Sequence, residues 1–474
     1  MDVVLSAVAT DLVGRLFSFL VRKYQEPGAA GNAVRLQGAL LRARAVVEEA
    51  EGRQIANGAM LLQLNHLRWE MCRGVYALDT LRRRARARRT FSLPPATDGL
   101  SVVVESLEAA LSDMREFVVL LGSCCPRVTR QPYNAYLFME SCMFGRQMEK
   151  EQIIGFLLRS SQDLDVLPII GPKLVGKQTL VEHVCVDERV REHFATIHRL
   201  SNDSLDLQRH GHEGCHHSFI DGTAMSLIVI NLARGGSGEV ERWRRLLSSL
   251  RRRAHRESKV ILISRAEAHA GLGTVPALRL RAPRREEIWY FFRALAFGGA
   301  DPEERPELLR VAMALFTFIR SNPALFAAAG VLAASLRADL SMCSWRRVQG
   351  VFTGATRVPG VLLCRPMKDA PGVPCLFYDW RKFAGMVRSE LPKVTMLDLL
   401  TGRAVLPRGD ARFDVLAWQS RIPPYLSHVA TCDMERAWHD VVTDEKRFHK
   451  RRRGWQDEER DEFTRKKEER DELA

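Results

Sequence analysis

The residues best placed to do chemistry lie in the stretch VLPIIGPKLVGKQTL, residues 166–180. An apolar run feeds into Gly171, and four residues later Gly176-Lys177 opens a helical pattern. A strand, a glycine-bounded loop and a helix in that order form a phosphate-binding arrangement. Loop amides and the unsatisfied N–H groups of the helix N-terminus donate to phosphate oxygens. The Lys177 ammonium would neutralise the terminal phosphates. The next position normally supplies a Ser or Thr hydroxyl to Mg²⁺; Gln178 stands there, and Thr179 follows one residue later. The competing structural reading is an ordinary strand–turn–helix connection.

A hydrolase of this kind also needs an acid at the end of a second buried strand, to hold metal and polarise water. The best candidate strand, 226–232, runs on as Ile230-Asn231-Leu232-Ala233-Arg234 without Asp or Glu. Hydrolysis is therefore expected to be weak or absent. Other clusters carry less. His210, His212, Cys215, His216 and His217 are zinc-ligand types, but their spacing is irregular and no second cluster completes a site. The basic runs 81–89 and 450–453 lack interleaved aromatic residues or a reader motif, so they read as solvated segments and not as a nucleic-acid surface. No Ser–His–Asp or paired-carboxylate constellation is defined by spacing.

The elements that must position these groups follow from periodicity. Val4, Ala7, Val8, Leu12, Leu16, Phe19 and Leu20 recur at three- and four-residue intervals, as on one helix face. Second, third and fourth helices are predicted over about 33–56, 60–84 and 100–121, with Asn57-Gly58 closing the second. Together they predict an N-terminal four-helix bundle. Past a Pro- and Arg-rich linker the pattern changes. DVLPIIG, FATIHRLS, SLIVINL and KVILISR alternate with helical segments, which indicates an α/β domain with a parallel sheet. Residues 302–340 read as helical, 358–428 as mixed, and 444–474 as an almost wholly charged tail. The expected fold is multidomain, α and α/β: residues 1–125 a helical bundle, 126–138 a linker, 139–297 a P-loop NTPase-like domain, 298–345 a small helical domain, 346–440 a region of undefined fold, and 441–474 the tail.

Composition bounds the function. Of 474 residues, 46% are hydrophobic and 27% charged, which is globular composition. The net charge of +14 suits polyanionic neighbours, although a solvated Arg-rich surface of biased composition is the simpler explanation. Ten scattered cysteines without a CxxC pair point to a reducing compartment. No signal peptide is visible, and no apolar run reaches the roughly 18 residues of a membrane span. A cytoplasmic protein is expected, with the nucleus also compatible and contact with a membrane surface allowed.

The ordered set of bundle, FMESCMFGRQMEKEQIIGFLL, glycine loop and SKVILISRAEA resembles the plant coiled-coil-type nucleotide-binding (NB-ARC) disease resistance proteins, and within them a divergent grass-type branch. The resemblance covers roughly residues 1–340. It implies that Phe144, Gly145 and Arg146 form the entry motif against the adenine, and that Gly171, Val175, Gly176, Lys177, Thr179 and Leu180 match the loop. Gln178 occupies the metal position, so Mg²⁺ is not expected. Arg265 aligns with a phosphate sensor, and Pro323 with a motif following the nucleotide domain. The implied ligand is ADP or ATP. The implied partners are further copies of the chain or other immune receptors, met through the helical bundle, with nucleic acid not expected.

Departures from the family are also present. Pro172, Lys173 and Leu174 stand where the family's loop has Met-Gly-Gly, so two glycines that permit close backbone approach to phosphates are lost. The acidic motif of the third helix, which in the family faces the repeats, survives only as Leu78-Asp79, and no leucine-rich repeat follows residue 340. These departures leave two other readings in place: an interaction protein without nucleotide, partnering full-length receptors, and an Arg-rich nucleic-acid-binding protein.

Overall fold

The structure, a computed structural model, describes residues 29–88, 98–125, 143–201, 224–232, 239–320, 325–353, 357–358, 361–364, 375–383, 390–401, 412–422 and 425–434. The predicted helix over 4–20, the His-rich segment 210–217 and the charged tail lie outside them. The described residues fall chiefly into two compact units, one reaching to 312 and including 325–333, the other made of 334–420 and 425–434.

The first unit begins with four helices: α1 (Ala29–Glu51), α2 (Gly58–Arg88), α3 (Asp98–Ser112) and α4 (Arg115–Cys124). On α1, Leu36, Ala39, Ala43, Val47 and Ala50 are buried at three- and four-residue spacing, and on α2 Leu64, Leu67, Met71, Val75 and Leu78 do the same. Small residues permit close approach: a Cβ on Gly74 would lie 3.0 Å from Leu40 and 3.2 Å from Leu36. Asn57 does not end α1. Its Oδ1 accepts from the N–H groups of Ala59 (2.9 Å) and Met60 (3.3 Å), so it caps the start of α2. The predicted fourth helix is broken at Asp113-Met114 into α3 and α4.

The α/β part runs α5 (Gln147–Leu157), β1 (Asp165–Ile170), α6 (Lys177–Cys185), α7 (Glu188–His193), β2 (Thr196–Ser201), β3 (Ser226–Leu232), α8 (Glu239–Arg253), β4 (Lys259–Ser264), β5 (Leu278–Arg279) and α9 (Arg285–Phe297). The five strands are parallel, in the order β2-β3-β4-β1-β5. Each inner strand carries a continuous apolar run because helices cover both faces. Leu167, Ile169, Ile261 and Ile263 join Ile153, Ile154, Leu180 and Val184 on one face. Val166, Ile228, Ile230, Val260 and Leu262 meet Trp243, Leu247 and Leu250 on the other.

Helices α10 (Pro306–Arg320), α11 (Leu325–Arg337) and α12 (Met342–Thr353) follow. The second unit carries β6 (Arg357–Val358), β7 (Val361–Cys364), β8 (Cys375–Phe383), α13 (Met396–Thr401), β9 (Arg412–Gln419) and β10 (Ser427–Asp433). Its strands form an antiparallel sheet in the order β6-β7-β8-β10-β9. Sequence periodicity gave this region no assignment.

Candidate functional site

The topology selects one crevice. The connection leaving β1 runs to β2 at one edge of the sheet, and the connection leaving the adjacent β4 runs to β5 at the other edge. Neighbouring strands whose connections diverge leave a cleft at their carboxyl ends, and ligands of open parallel sheets bind there. The glycine loop leaves β1 at this point, and Arg265 leaves β4 beside it. The N–H of Gly171 donates to the Ser264 carbonyl at 3.3 Å, so the two exits are joined.

The loop, 171–176, is held from several sides. At Gly171 a Cβ would lie 2.5 Å from the Leu280 carbonyl oxygen, so the main chain of the segment after β5 closes directly on it. Gly176 has φ +94°, and a Cβ there would also press on Met143 at 2.9 Å. Leu174 adopts φ +63°, a left-handed conformation unusual for a side-chain-bearing residue. Pro172 and Lys173 are exposed, while Val175 and Leu180 enter the core beneath. The loop is therefore an outward turn that its own Pro172 does not fill.

Gly176 caps α6, and the first helical bond runs from the Leu180 N–H to the Gly176 carbonyl at 2.9 Å. The N–H groups of Lys177, Gln178 and Thr179 precede that bond and stand at the helix N-terminus, facing the loop's exit. The Lys177 side chain is 8% exposed and folds back across the loop. Its Nζ donates to the carbonyls of Gly171 and Pro172, both at 2.7 Å. The ammonium thus lies in the turn.

Arg265 is exposed at the carboxyl edge. Its placement depends on a pair that sequence reading missed. Ser264 Oγ lies 2.6 Å from His269 Nδ1 and accepts from the Ala266 N–H at 3.1 Å, which fixes the exit of β4. The entry residues lie on the other flank. The Phe144 ring is buried, stacks on Tyr290 at 6.2 Å and meets Phe291 at a tilt at 5.5 Å, both of α9. Gly145 has φ +69°. Arg146 donates to Glu149 at 2.7 Å and to the Arg281 carbonyl. Pro323 lies outside the described residues. The end of β3, Asn231-Leu232, carries no carboxylate. With Gln178 at the other metal position, the donor set does not fit Mg²⁺, which favours carboxylate and hydroxyl oxygens. Among the described residues, no group of three or more His, Cys, Asp or Glu side chains could hold a metal ion.

Helix α9 joins this site to the N-terminal helices. Asp79 of α2, 1% exposed, accepts from Trp289 Nε1 at 2.9 Å and pairs with Arg293 at 3.0 Å. Arg284 and Arg285 lie over the rings of Trp69 and Tyr76, at 4.0 and 4.9 Å from the ring centres. The Asp79 remnant of the acidic motif thus faces α9, where the resemblance implied a repeat domain. The sequence signal was available in the aromatic run Ile288-Trp289-Tyr290-Phe291-Phe292, but its partner lies 210 residues away.

Comparison with known proteins gives partial matches. No protein-family model matches the chain. The putative disease resistance protein RGA4 of Solanum bulbocastanum is 31% identical over 98 residues, 19% of this chain and 10% of that protein. Disease resistance protein RGA2 of the same plant is 43% identical over 58 residues, 12% of this chain and 6% of its own. The putative disease resistance protein RGA1 is 25% identical over 230 residues, 44% of this chain and 23% of its own. The matches thus span less than a quarter of these relatives' lengths. A solved structure, "Structure of Drosophila ORC bound to DNA", covers 44% of this chain and 66% of its own at 14% identity. Its TM-score of 0.28 is too low to carry an argument.

Proposed function

We propose that the chain is a plant-defence protein of the NB-ARC disease-resistance type, similar to the relatives it partly matches, and that its glycine loop holds the diphosphate of ADP or ATP. One observation carries this reading: an outward glycine turn at the switch point of a parallel sheet, with the buried Lys177 ammonium drawn across it. The loop amides and the N–H groups of Lys177, Gln178 and Thr179 would donate to phosphate oxygens. Lys177 would exchange carbonyl partners for phosphate. Arg265 would face the terminal phosphate, while Phe144, Gly145 and Arg146 would flank the base; Pro323 belongs to the same proposed site only by its alignment with the motif that follows the nucleotide domain. Gly171, Val175, Gly176 and Leu180 shape the turn. A bound nucleotide supplies a polyanion that tightens the turn.

Mg²⁺ is not part of the proposed site, and hydrolysis is weak or absent. The ligand acts as a switch, with ADP and ATP favouring different arrangements by differential contacts. The N-terminal helices, read with 4–20 as a four-helix bundle, would meet further copies or other immune receptors. Domains over 1–125, 139–297 and 298–345 and a cytoplasmic or nuclear location belong to this reading. Among the described residues no helix is long and apolar enough to cross a membrane.

A second reading, an interaction protein without nucleotide, draws support from Lys177 already having loop carbonyls as acceptors and from Pro172 and Lys173 in the turn. Isothermal titration with ADP, in chelator and in Mg²⁺, separates the two. The nucleotide reading expects saturable binding of similar strength in both buffers, abolished in Lys177→Ala. Heat-free titrations with a folded chain would establish the second.

A further inference from the structure

The solvent side of α8 carries a cluster that the nucleotide site does not use. The helix reads EVERWRRLLSSLRRR, six arginines against two glutamates. Trp243, Leu247 and Leu250 are buried against the sheet. Arg244, Arg245, Ser248, Arg251 and Arg252 are exposed. Helix geometry places residues three and four apart side by side. Arg244 and Arg245 are i−4 and i−3 to Ser248, and Arg251 and Arg252 are i+3 and i+4. All four neighbours of one exposed serine are therefore arginines. The Ser248 hydroxyl donates to the Arg244 carbonyl at 2.8 Å, which holds its oxygen against the helix at the centre of the quartet. Arg244 also meets Glu241 at 2.7 Å, with both side chains 60% exposed. An ion pair so exposed is weak and leaves the guanidinium available.

We propose that this outer face of α8 is a docking surface for an anionic lipid membrane. Four guanidinium-bearing residues flank Ser248 on the exposed face, in two pairs roughly 10 Å apart along the helix. Clusters of basic residues on an amphipathic helix attract anionic headgroups, and a fluid bilayer presents its phosphates at whatever spacing the protein offers. A nucleic-acid surface fits less well. Trp243 is buried, so the exposed face offers no aromatic platform for a base. Its exposed side chains are arginine, serine and Glu241, without an amide to read base edges. The apolar side of α8 is committed to the core, so the contact is peripheral, salt-sensitive and without insertion. Ser248 makes the contact adjustable, because an anion there would be held by the same four arginines that the membrane requires.

The test is sedimentation of the full chain with phosphatidylcholine vesicles, with and without phosphatidylserine. The account expects partition onto the phosphatidylserine vesicles only, falling steeply with salt. Arg244→Gln, Arg245→Gln, Arg251→Gln and Arg252→Gln together should weaken partition at least about tenfold. Ser248→Glu should weaken it by a smaller factor, with unfolding temperature and circular dichroism unchanged in both variants. Replacing Lys450, Arg451, Arg452 and Arg453 by Gln should leave partition as in the wild type. Wild-type partition by the quartet variant would overturn the proposal. So would equal binding to neutral vesicles, preference for duplex DNA over vesicles at equal phosphate, or binding of inositol hexakisphosphate without vesicles.

Discussion

Two buried lysines sit at opposite ends of the same parallel sheet. Lys259 begins β4, is 1% exposed, and donates to the Asp165 carboxylate at 3.0 Å, with the Phe156 ring 5.6 Å away. Burial pushes the Asp165 carboxyl up, but hydrogen bonds from Lys259 and neighbouring hydroxyls outweigh it and hold the group below the usual carboxylate range. Lys177 follows the glycine loop, is 8% exposed, and donates to two main-chain carbonyls. The contrast separates structure from function. A lysine set against a formal charge is committed to the fold, because removing either partner strands the other. A lysine that donates to main-chain carbonyls can exchange those acceptors for the stronger one that a phosphate offers.

The largest effect that sharpens this contrast is expected from Lys259→Met. It removes the buried ammonium from Asp165, which keeps Thr274 at 3.1 Å and Arg159 at 3.7 Å, and should cost about 3 kcal/mol in a guanidinium denaturation series. Asp79→Asn keeps an acceptor for Trp289 Nε1 but removes the charge facing Arg293. It should cost about 2 kcal/mol, read as a lower unfolding temperature. Gly171→Ala drives a Cβ toward the Leu280 carbonyl and should cost about 1–2 kcal/mol while abolishing ADP binding. Lys177→Met should cost no more than about 1 kcal/mol while also abolishing ADP binding. If it unfolded the chain as severely as Lys259→Met, the distinction between the two lysines would fail.

The smallest effect concerns acid. Burial raises the Asp187 pKa, but hydrogen bonds and charge from Arg189 and Lys150 prevail and lower it from 3.8 to about 2. A carboxylate depressed in the folded state contributes stability above its unfolded value and loses it as pH falls toward the folded one. Stability should therefore decline between about pH 4 and pH 2, and Asp187→Asn should flatten that limb of an acid titration.

The inner strands were legible because each carries a continuous apolar run, and covering both faces of a parallel sheet requires that pattern. The glycine loop was legible because its residues are contiguous. The antiparallel sheet was not, because β10 shifts register against β8 between Val429 and Thr431 and against β9 between His428 and Val429. Such bulges break the period-two alternation on which strand reading depends. Asn57-Gly58 was misread as a helix end because the same residue types serve a helix start, and only the bonds to Ala59 and Met60 decide between them. Leu280 over Gly171, Tyr290 on Phe144 and Trp289 on Asp79 were invisible for one shared reason. Each contact joins residues more than 100 positions apart, and neither member carries a local pattern that names the other.

The account stands most directly on the nucleotide content of the purified full chain. Boiling purified wild-type protein should liberate ADP or ATP in amounts comparable to the chain, and Lys177→Ala, folded to the same extent beforehand, should liberate almost none. Wild-type protein that is folded yet releases no nucleotide, or a Lys177→Ala chain that releases as much as wild type, would contradict it.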